Sequence, residues 1–172
     1  MNHGLSDVER DRIISEWVQN YGVSIKRICI LYLSDLQMAE DAVQETFIKA
    51  WKCMDQFEGR GDSKVSTWLT RIAINTCHDV HRSRWYRNVD TTIDAESVLK
   101  LHGGMSDSDR TLLLDVLRLP EKEKTAILLY YYQGMTQHEI AQTLGVSRTS
   151  VQQTLKKALE RLKVEWKEDE PQ

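Results

Sequence analysis

Residues Thr136 to Leu162 read TQHEIAQTLGVSRTSVQQTLKKALERL, and this stretch decides the fold. Thr136 and Glu139 have the spacing of a capping box, a hydroxyl at the cap and a carboxylate three residues on, which marks a helix start. Ile140, Ala141 and Leu144 fall on one face of that helix. Gly145 follows where a helix end favours a left-handed residue. Val146 is expected to plug the core and Ser147 to cap the next helix. Val151, Leu155, Ala158, Leu159 and Leu162 recur at helical steps and form its buried stripe. Helix, short glycine turn and helix make a helix-turn-helix. Its second helix suits the DNA major groove, with the N-terminal residues at base edges. Arg148, Thr149, Ser150, Gln152, Gln153 and Lys156 are left on the exposed face. Arg pairs bidentately with guanine and Gln with adenine. Lys156 and Lys157 lie further along and suit phosphates. A merely solvated polar face shares this composition, but capping box, glycine and second cap in this order favour DNA binding.

Upstream of this motif, Pro120 opens a helix at its first turn, with Glu121 and Glu123 near the positive end. That helix is expected to end near Gly134, with one exposed ring among Tyr130, Tyr131 and Tyr132. Asp109–Leu117 reads as a short amphipathic helix. Residues 88–108 have weak periodicity, several Asp and Ser and a Gly-Gly pair, the composition of a linker. One short helical stretch is expected there at 95–102.

Residues before this linker read as a second helical lobe. Ile13, Ile14, Trp17, Val18, Tyr21, Ile25, Ile28, Cys29 and Tyr32 recur at helical steps between Val8 and Leu33. Ser34 breaks this helix, and Asp35 precedes the next, expected from Gln37 to Met54. Its inner stripe is Ala39, Ala42, Val43, Phe47, Ala50 and Trp51, and Glu40, Asp41, Gln44, Glu45, Lys49 and Lys52 form a polar outer face. Phe57–Lys64 (FEGRGDSK) is rich in turn formers and is expected to be a loop. Ser66 or Thr67 then caps a helix running to about Trp85, with Trp68, Leu69, Ile72, Ala73 and Cys77 inward. Aromatic residues and Arg alternate here (Trp68, Arg71, Arg82, Arg84), together with Asn75, and such a pattern suits single-stranded nucleic acid. The competing assignment makes Trp68 a core residue and lets Arg82 and Arg84 simply favour the negative helix end.

The architecture predicted is therefore all-α, two helical lobes joined by a flexible linker: residues 1–87, 88–108 and 109–172. Composition agrees. The chain has 172 residues, 41% hydrophobic and 28% charged, enough to bury a core. The net charge of −3 is unpromising for a nucleic-acid binder, but it is an average over opposing segments. Residues 59–88 carry six basic against two acidic side chains, and residues 121–163 seven against four. Local field counts for more than the total when the ligand is a polyanion.

Across both lobes the chain resembles the extracytoplasmic-function group of bacterial RNA polymerase sigma factors. The resemblance rests on AEDAVQETFIKAW (Ala39–Trp51), FEGRGDS (Phe57–Ser63) and STWLTRIAINTCHD (Ser66–Asp79) in the first lobe. In the second it rests on LPEKEKTAILLYYYQGMTQHEIAQTLGVS (Leu119–Ser147) and ALERL (Ala158–Leu162). It implies a region 2 helical bundle followed by a region 4 helix-turn-helix. It also implies that Glu40, Asp41, Gln44, Glu45 and Lys49 dock on a coiled coil of the polymerase β′ subunit. Phe57, Arg60, Gly61, Asp62, Ser63 and Lys64 correspond to a loop that captures a base flipped from the promoter −10 element. Trp68, Arg71, Asn75, Arg82 and Arg84 correspond to the melting helix, with Asn75 near the flipped base. Arg148, Thr149, Ser150, Gln152, Gln153, Lys156 and Lys157 correspond to the −35 reading helix, and the second lobe to a β flap partner. An anti-sigma factor, often membrane-anchored, is implied as a separate regulator. The recognition helix departs from the family pattern: VQQTLKKA stands where a more basic stretch is usual, so phosphate anchoring leans on Arg148, Lys156 and Lys157.

Other classes fit less well. No GxSxG, P-loop or Gly-rich strand-to-helix turn is present, so neither an enzyme nor a cofactor is expected. Cys77 and His81 share a helical face, but a structural zinc site needs four ligands and no paired cysteine motif supplies them. No metal is expected; Cys77 is assigned to the core, and His78 and His81 to the surface. No apolar run is long enough for a membrane span, and the polar start is unlike a signal peptide, so a cytoplasmic protein with no membrane insertion is expected. The acidic tail Glu165–Pro171 is short, so no appended sensory domain is expected. The remaining alternative is a stand-alone helix-turn-helix regulator of duplex DNA, which has no use for a base-capturing loop.

Overall fold

The computed structural model describes residues 5–57, 62–86, 98 and 106–163, without the side chains of 62–64 and 84–86. The described residues are helical, with no strand among them. The chain divides into two compact units, residues 1–92 and 93–172.

The first unit contains α1 (Asp7–Leu33), α2 (Leu36–Lys52) and α3 (Asp62–Tyr86), each packed on the other two. The start of α1 is fixed by a capping box that the sequence reading overlooked. The Ser6 side chain accepts from the Glu9 N–H, and the Glu9 carboxylate accepts from the Ser6 N–H at 2.9 Å. The Ser6 hydroxyl and then its backbone N–H hold the Glu9 carboxyl below its usual pKa. Helix α1 stops at Ser34, whose φ of 54° is left-handed, and Asp35 caps α2 by accepting from the Met38 N–H at 2.8 Å. A 3₁₀ turn, Met54–Gln56, follows α2, which ends at Lys52 rather than Met54.

Between these helices Ile25, Ile28, Cys29, Ala39, Ala42, Ala50, Leu69, Ala73 and Cys77 are at most 1% exposed. Ala and Cys at the crossing points let the helices approach closely, while Ile and Leu fill the remaining volume. Thr46, buried at 0%, is tolerated because its hydroxyl donates to the Ala42 carbonyl at 2.6 Å. Val18, one of the apolar residues recurring along α1, is 46% exposed.

Helix α3 differs most from expectation. It begins at Asp62, so Asp62, Ser63 and Lys64 belong to the helix and not to the loop, and Ser66 and Thr67 lie inside it. Acidic residue types are favoured in the first turn of a helix, which is compatible with this earlier start. Glu58, Gly59, Arg60 and Gly61 lie outside the described residues.

The second unit contains α4 (Asp107–Leu117), α5 (Glu121–Ile127), α6 (Gln137–Leu144) and α7 (Arg148–Leu162). Ser106 caps α4, so the segment 106–108 extends that helix and does not belong to the linker. The rest of the expected linker lies outside the described residues apart from Val98, which is helical and buried. Pro120 is the cap of α5 rather than its first helical residue. After Ile127 the chain widens into a π turn, Leu128–Tyr132, with the Gln133 N–H on the Leu128 carbonyl at 3.0 Å. The widening buries Tyr130 and turns two rings outward rather than one, Tyr131 at 53% and Tyr132 at 38% exposure.

The helix-turn-helix is α6, Gly145 to Ser147, and α7. Thr136 and Glu139 form the expected capping box, and Ser147 accepts from the Ser150 N–H at 3.1 Å. Gly145 has φ 65°, and its N–H donates to the Ala141 carbonyl. Val146 does not plug the core. It is 44% exposed, because the chain must leave the left-handed residue outward before turning into α7. A Cβ at Gly145 would meet nothing within 4 Å, so Gly145→Ala pays only for the left-handed backbone. That cost is about 1–2 kcal/mol. Thermal unfolding of the second unit should show a fall of this size; an unchanged midpoint would contradict it.

Candidate nucleic-acid and polymerase interface

In the second unit, α7 is anchored by Val151, Leu155, Ala158 and Leu159, all at most 5% exposed. Their spacing leaves Arg148, Thr149, Gln152, Gln153, Lys156 and Lys157 exposed on the outer face. Ser150 is half-buried rather than exposed, and its carbonyl accepts from the Thr154 hydroxyl at 2.8 Å. A fourth basic residue of the helix, Arg161, turns back to α5. Its Nε lies 2.9 Å from Oε2 of Glu123, whose residue is only 8% exposed. Glu123 therefore ties the far end of α7 to the unit instead of merely complementing the start of α5.

In the first unit, α3 presents Arg71, Asn75, His78 and Arg82 outward, at steps of four, three and four residues. This spacing makes one continuous stripe. Two of the expected site residues, Phe57 and Trp68, pack on each other. Trp68 is half-buried and rests on Phe57, with ring centroids 5.2 Å apart. Trp17 of α1 closes the cluster, edge-on at 5.6 Å to Phe57 and 5.7 Å to Trp68. The core assignment for Trp68 thus accounts for much of its surface. Asp62, Ser63 and Lys64 sit in the first turn of α3, Arg84 in its last, and Arg60 and Gly61 lie outside the described residues. Cys77 is buried, while His81 is half-buried rather than on the surface. Among the described residues no group of His, Cys, Asp and Glu could hold a metal ion.

The outer face of α2 is more structured than its composition suggests. Glu40 accepts from the Lys26 ammonium at 2.9 Å. Lys49 donates to the Thr76 hydroxyl at 3.3 Å and lies 3.8 Å from Asp79 and 3.9 Å from Glu45. Asp79 in turn is 3.7 Å from Arg82. Lys49 therefore links α2 to α3, and Asp41, Gln44 and Glu45 are the outward acidic and amide groups. Ile48, 47% exposed, lies one turn beyond Gln44 and Glu45, and the sequence reading missed it because a lone Ile carries no polar signature. The last turn of α2 is fastened to α1 by Arg10. Its guanidinium sits 5.6 Å over the Trp51 ring, donates to the Trp51 carbonyl at 3.0 Å and pairs with Asp55.

Comparison with known proteins bears on both units. Sigma-70 region 2 matches residues 17–87, and Sigma-70 region 4 matches residues 116–164. The RNA polymerase sigma-H factor of Pseudomonas aeruginosa is 33% identical over 138 residues, 72% of this chain and 70% of that protein. The extracytoplasmic-function sigma factor SigW of Bacillus subtilis is 29% identical over 160 residues, 85% of this chain and 84% of that one. Among solved structures, CnrH, determined with the cytosolic domain of CnrY, superposes with a TM-score of 0.64 at 25% identity. The match covers 89% of this chain and 86% of that one. The fold is also that of the sigma factor RpoE of Bartonella quintana, determined with the anti-sigma factor NepR, at a TM-score of 0.69 and 21% identity. Here 87% of this chain and 93% of that one are covered. A stand-alone regulator would account for the second unit only, whereas both units match, in the order region 2 then region 4. Such proteins bind core RNA polymerase and promoter DNA to initiate transcription, and they are not enzymes. The chain belongs to the sigma-70 family of RNA polymerase sigma factors, in its extracytoplasmic-function group.

Proposed function

We propose a division of labour between three surfaces. The outer face of α2 docks on the β′ coiled coil, with Asp41, Gln44 and Glu45 at its centre and Glu40 and Lys49 at its margin. The start of α3 and the segment before it, Phe57 and Arg60 to Lys64, together with Arg71, Asn75, Arg82 and Arg84, read and open the −10 element. Trp68 supports this helix from below. Extracting a base costs a few kcal/mol, which contacts at Asn75 and phosphate contacts at Arg71 and Arg82 offset. The outer face of α7 reads the −35 element, Arg148 suited to guanine, Gln152 and Gln153 to adenine, and Lys156 and Lys157 to phosphates. The second unit also meets the β flap.

The observation that carries this reading is the separation of surfaces within the first unit. An acidic and amide face on α2 and a basic, amide-bearing stripe on α3 suit partners of opposite charge. The protein acts in the cytoplasm, where polymerase and promoter are; among the described residues no helix is long and apolar enough to cross a membrane. An anti-sigma factor restrains it. That RpoE was determined with the anti-sigma factor NepR, and CnrH with the cytosolic domain of CnrY, supports this.

Two variants separate the DNA steps. Arg148→Ala should weaken holoenzyme binding to duplex −35 DNA by about 1–3 kcal/mol, roughly 5- to 150-fold. Asn75→Ala should leave that binding intact and lower the fraction of open complexes, read by permanganate reactivity of unpaired thymines. If both variants impaired the same step, the division would be wrong.

A further inference from the structure

We propose that Trp17 is a positioning residue for −10 reading, setting the rotation of α3 through a three-ring strut; this rests on the reading of α3 given above. Trp17 stands on α1, which contributes nothing to the outward stripe Arg71–Asn75–His78–Arg82. Its ring meets Phe57 and Trp68 edge-on, at 5.6 and 5.7 Å, and those two rings meet each other at 5.2 Å. All three are half-buried, so they sit at the rim of the bundle above the core formed by Leu69 and Ala73.

The position of Trp68 is what gives this cluster reach. Arg71 follows it by three residues and Asn75 by seven, one and two turns along the same side of α3. The buried residues of α3 near this end are aliphatic, Val65, Leu69 and Ala73, and burial of aliphatic surface is non-directional, so it does little to fix the rotation of the helix. A closed triangle of rigid rings resists it well, because edge-to-face contacts depend on orientation as well as distance. The third ring also ties Phe57, the last described residue before α3, to the same point. Its N–H is already fixed on the Met54 carbonyl at 3.0 Å. Trp17 thus joins both sides of the proposed reading segment to α1. Recognition of one base among four needs its contacts held within about half an ångström, which a loosened α3 would not provide.

The test uses holoenzyme assembled from the full chain and core polymerase, with a pool of randomised single-stranded oligonucleotides as the probe and sequencing of the retained fraction. Wild type should enrich a preferred base at one or more positions. Trp17→Leu should bind core polymerase within about twofold of wild type yet lose about tenfold in preference at those positions. Trp17→Phe, which keeps a ring, should recover most of it. If Trp17→Leu does not fold, Trp17→Met, which also removes the ring, must show the loss. Unchanged preference in a folded variant without the ring would overturn the proposal. So would an equal fall in affinity for every sequence, the mark of a direct stacking contact by Trp17. No preference in the wild type would overturn the −10 reading of α3 itself, and the proposal with it.

Discussion

Glu45→Arg is expected to abolish promoter-directed transcription at limiting protein while leaving the fold intact. Glu45 is exposed on α2 beside Asp41 and Gln44, and its nearest cation, Lys49, is 3.9 Å away at the surface. An exposed pair of this kind is worth about 0–1 kcal/mol, so its loss barely affects stability. Lys49 keeps Thr76 and Asp79. Docking is a different matter. An acidic face selects a basic partner, and reversing a charge at its centre places like charges together in a desolvated contact, at several kcal/mol. We expect core polymerase affinity to fall at least 100-fold, about 2.7 kcal/mol. Titration of labelled protein with core polymerase measures this, with thermal unfolding as the control. Wild-type affinity would show that the docking surface lies elsewhere.

Leu155→Ala should disable the second unit alone. Leu155 is 0% exposed, in the middle of α7, where that helix packs on α5 and α6. Truncating such a side chain costs about 2–5 kcal/mol, from lost burial and the cavity left behind. A unit of this size has little more stability than that to lose. Binding to duplex −35 DNA should disappear, because Arg148, Gln152 and Gln153 depend on the helix being formed. Core binding through α2 should persist. Scanning calorimetry should show the transition of the second unit shifted or lost and that of the first unchanged. Retained −35 binding, or an equal shift of both transitions, would contradict the account.

Both expectations draw on features whose legibility in the sequence differed. The helix-turn-helix was readable because its signals are local: Thr136 with Glu139, Gly145, and Ser147 each act on their own few residues. Val146 escaped because its direction depends on how the chain leaves a left-handed residue. The start of α3 was misplaced because Asp62, Ser63, Ser66 and Thr67 all suit a helix start, and composition does not rank them. The outward residues of α2 were legible from periodicity, but the pairing of Glu40 with Lys26 and of Lys49 with Thr76 and Asp79 was not. Those partners lie on other helices, and only packing brings them together. The cluster of Trp17, Phe57 and Trp68 has the same origin. Two of its members carried a nucleic-acid signature in the sequence, while the contact that occupies them comes from a residue far back in the chain. Arg161 reads as one more cation on a basic helix until Glu123 is placed beside it.

Run-off transcription on a pool of genomic promoter fragments, with core polymerase alone and with this protein added, tests the central claim most directly. Discrete new transcripts that depend on the protein, with start sites downstream of shared −35 and −10 elements, are the predicted result. A protein that is folded, binds duplex DNA through α7 and yet neither binds core polymerase nor yields a transcript would contradict it.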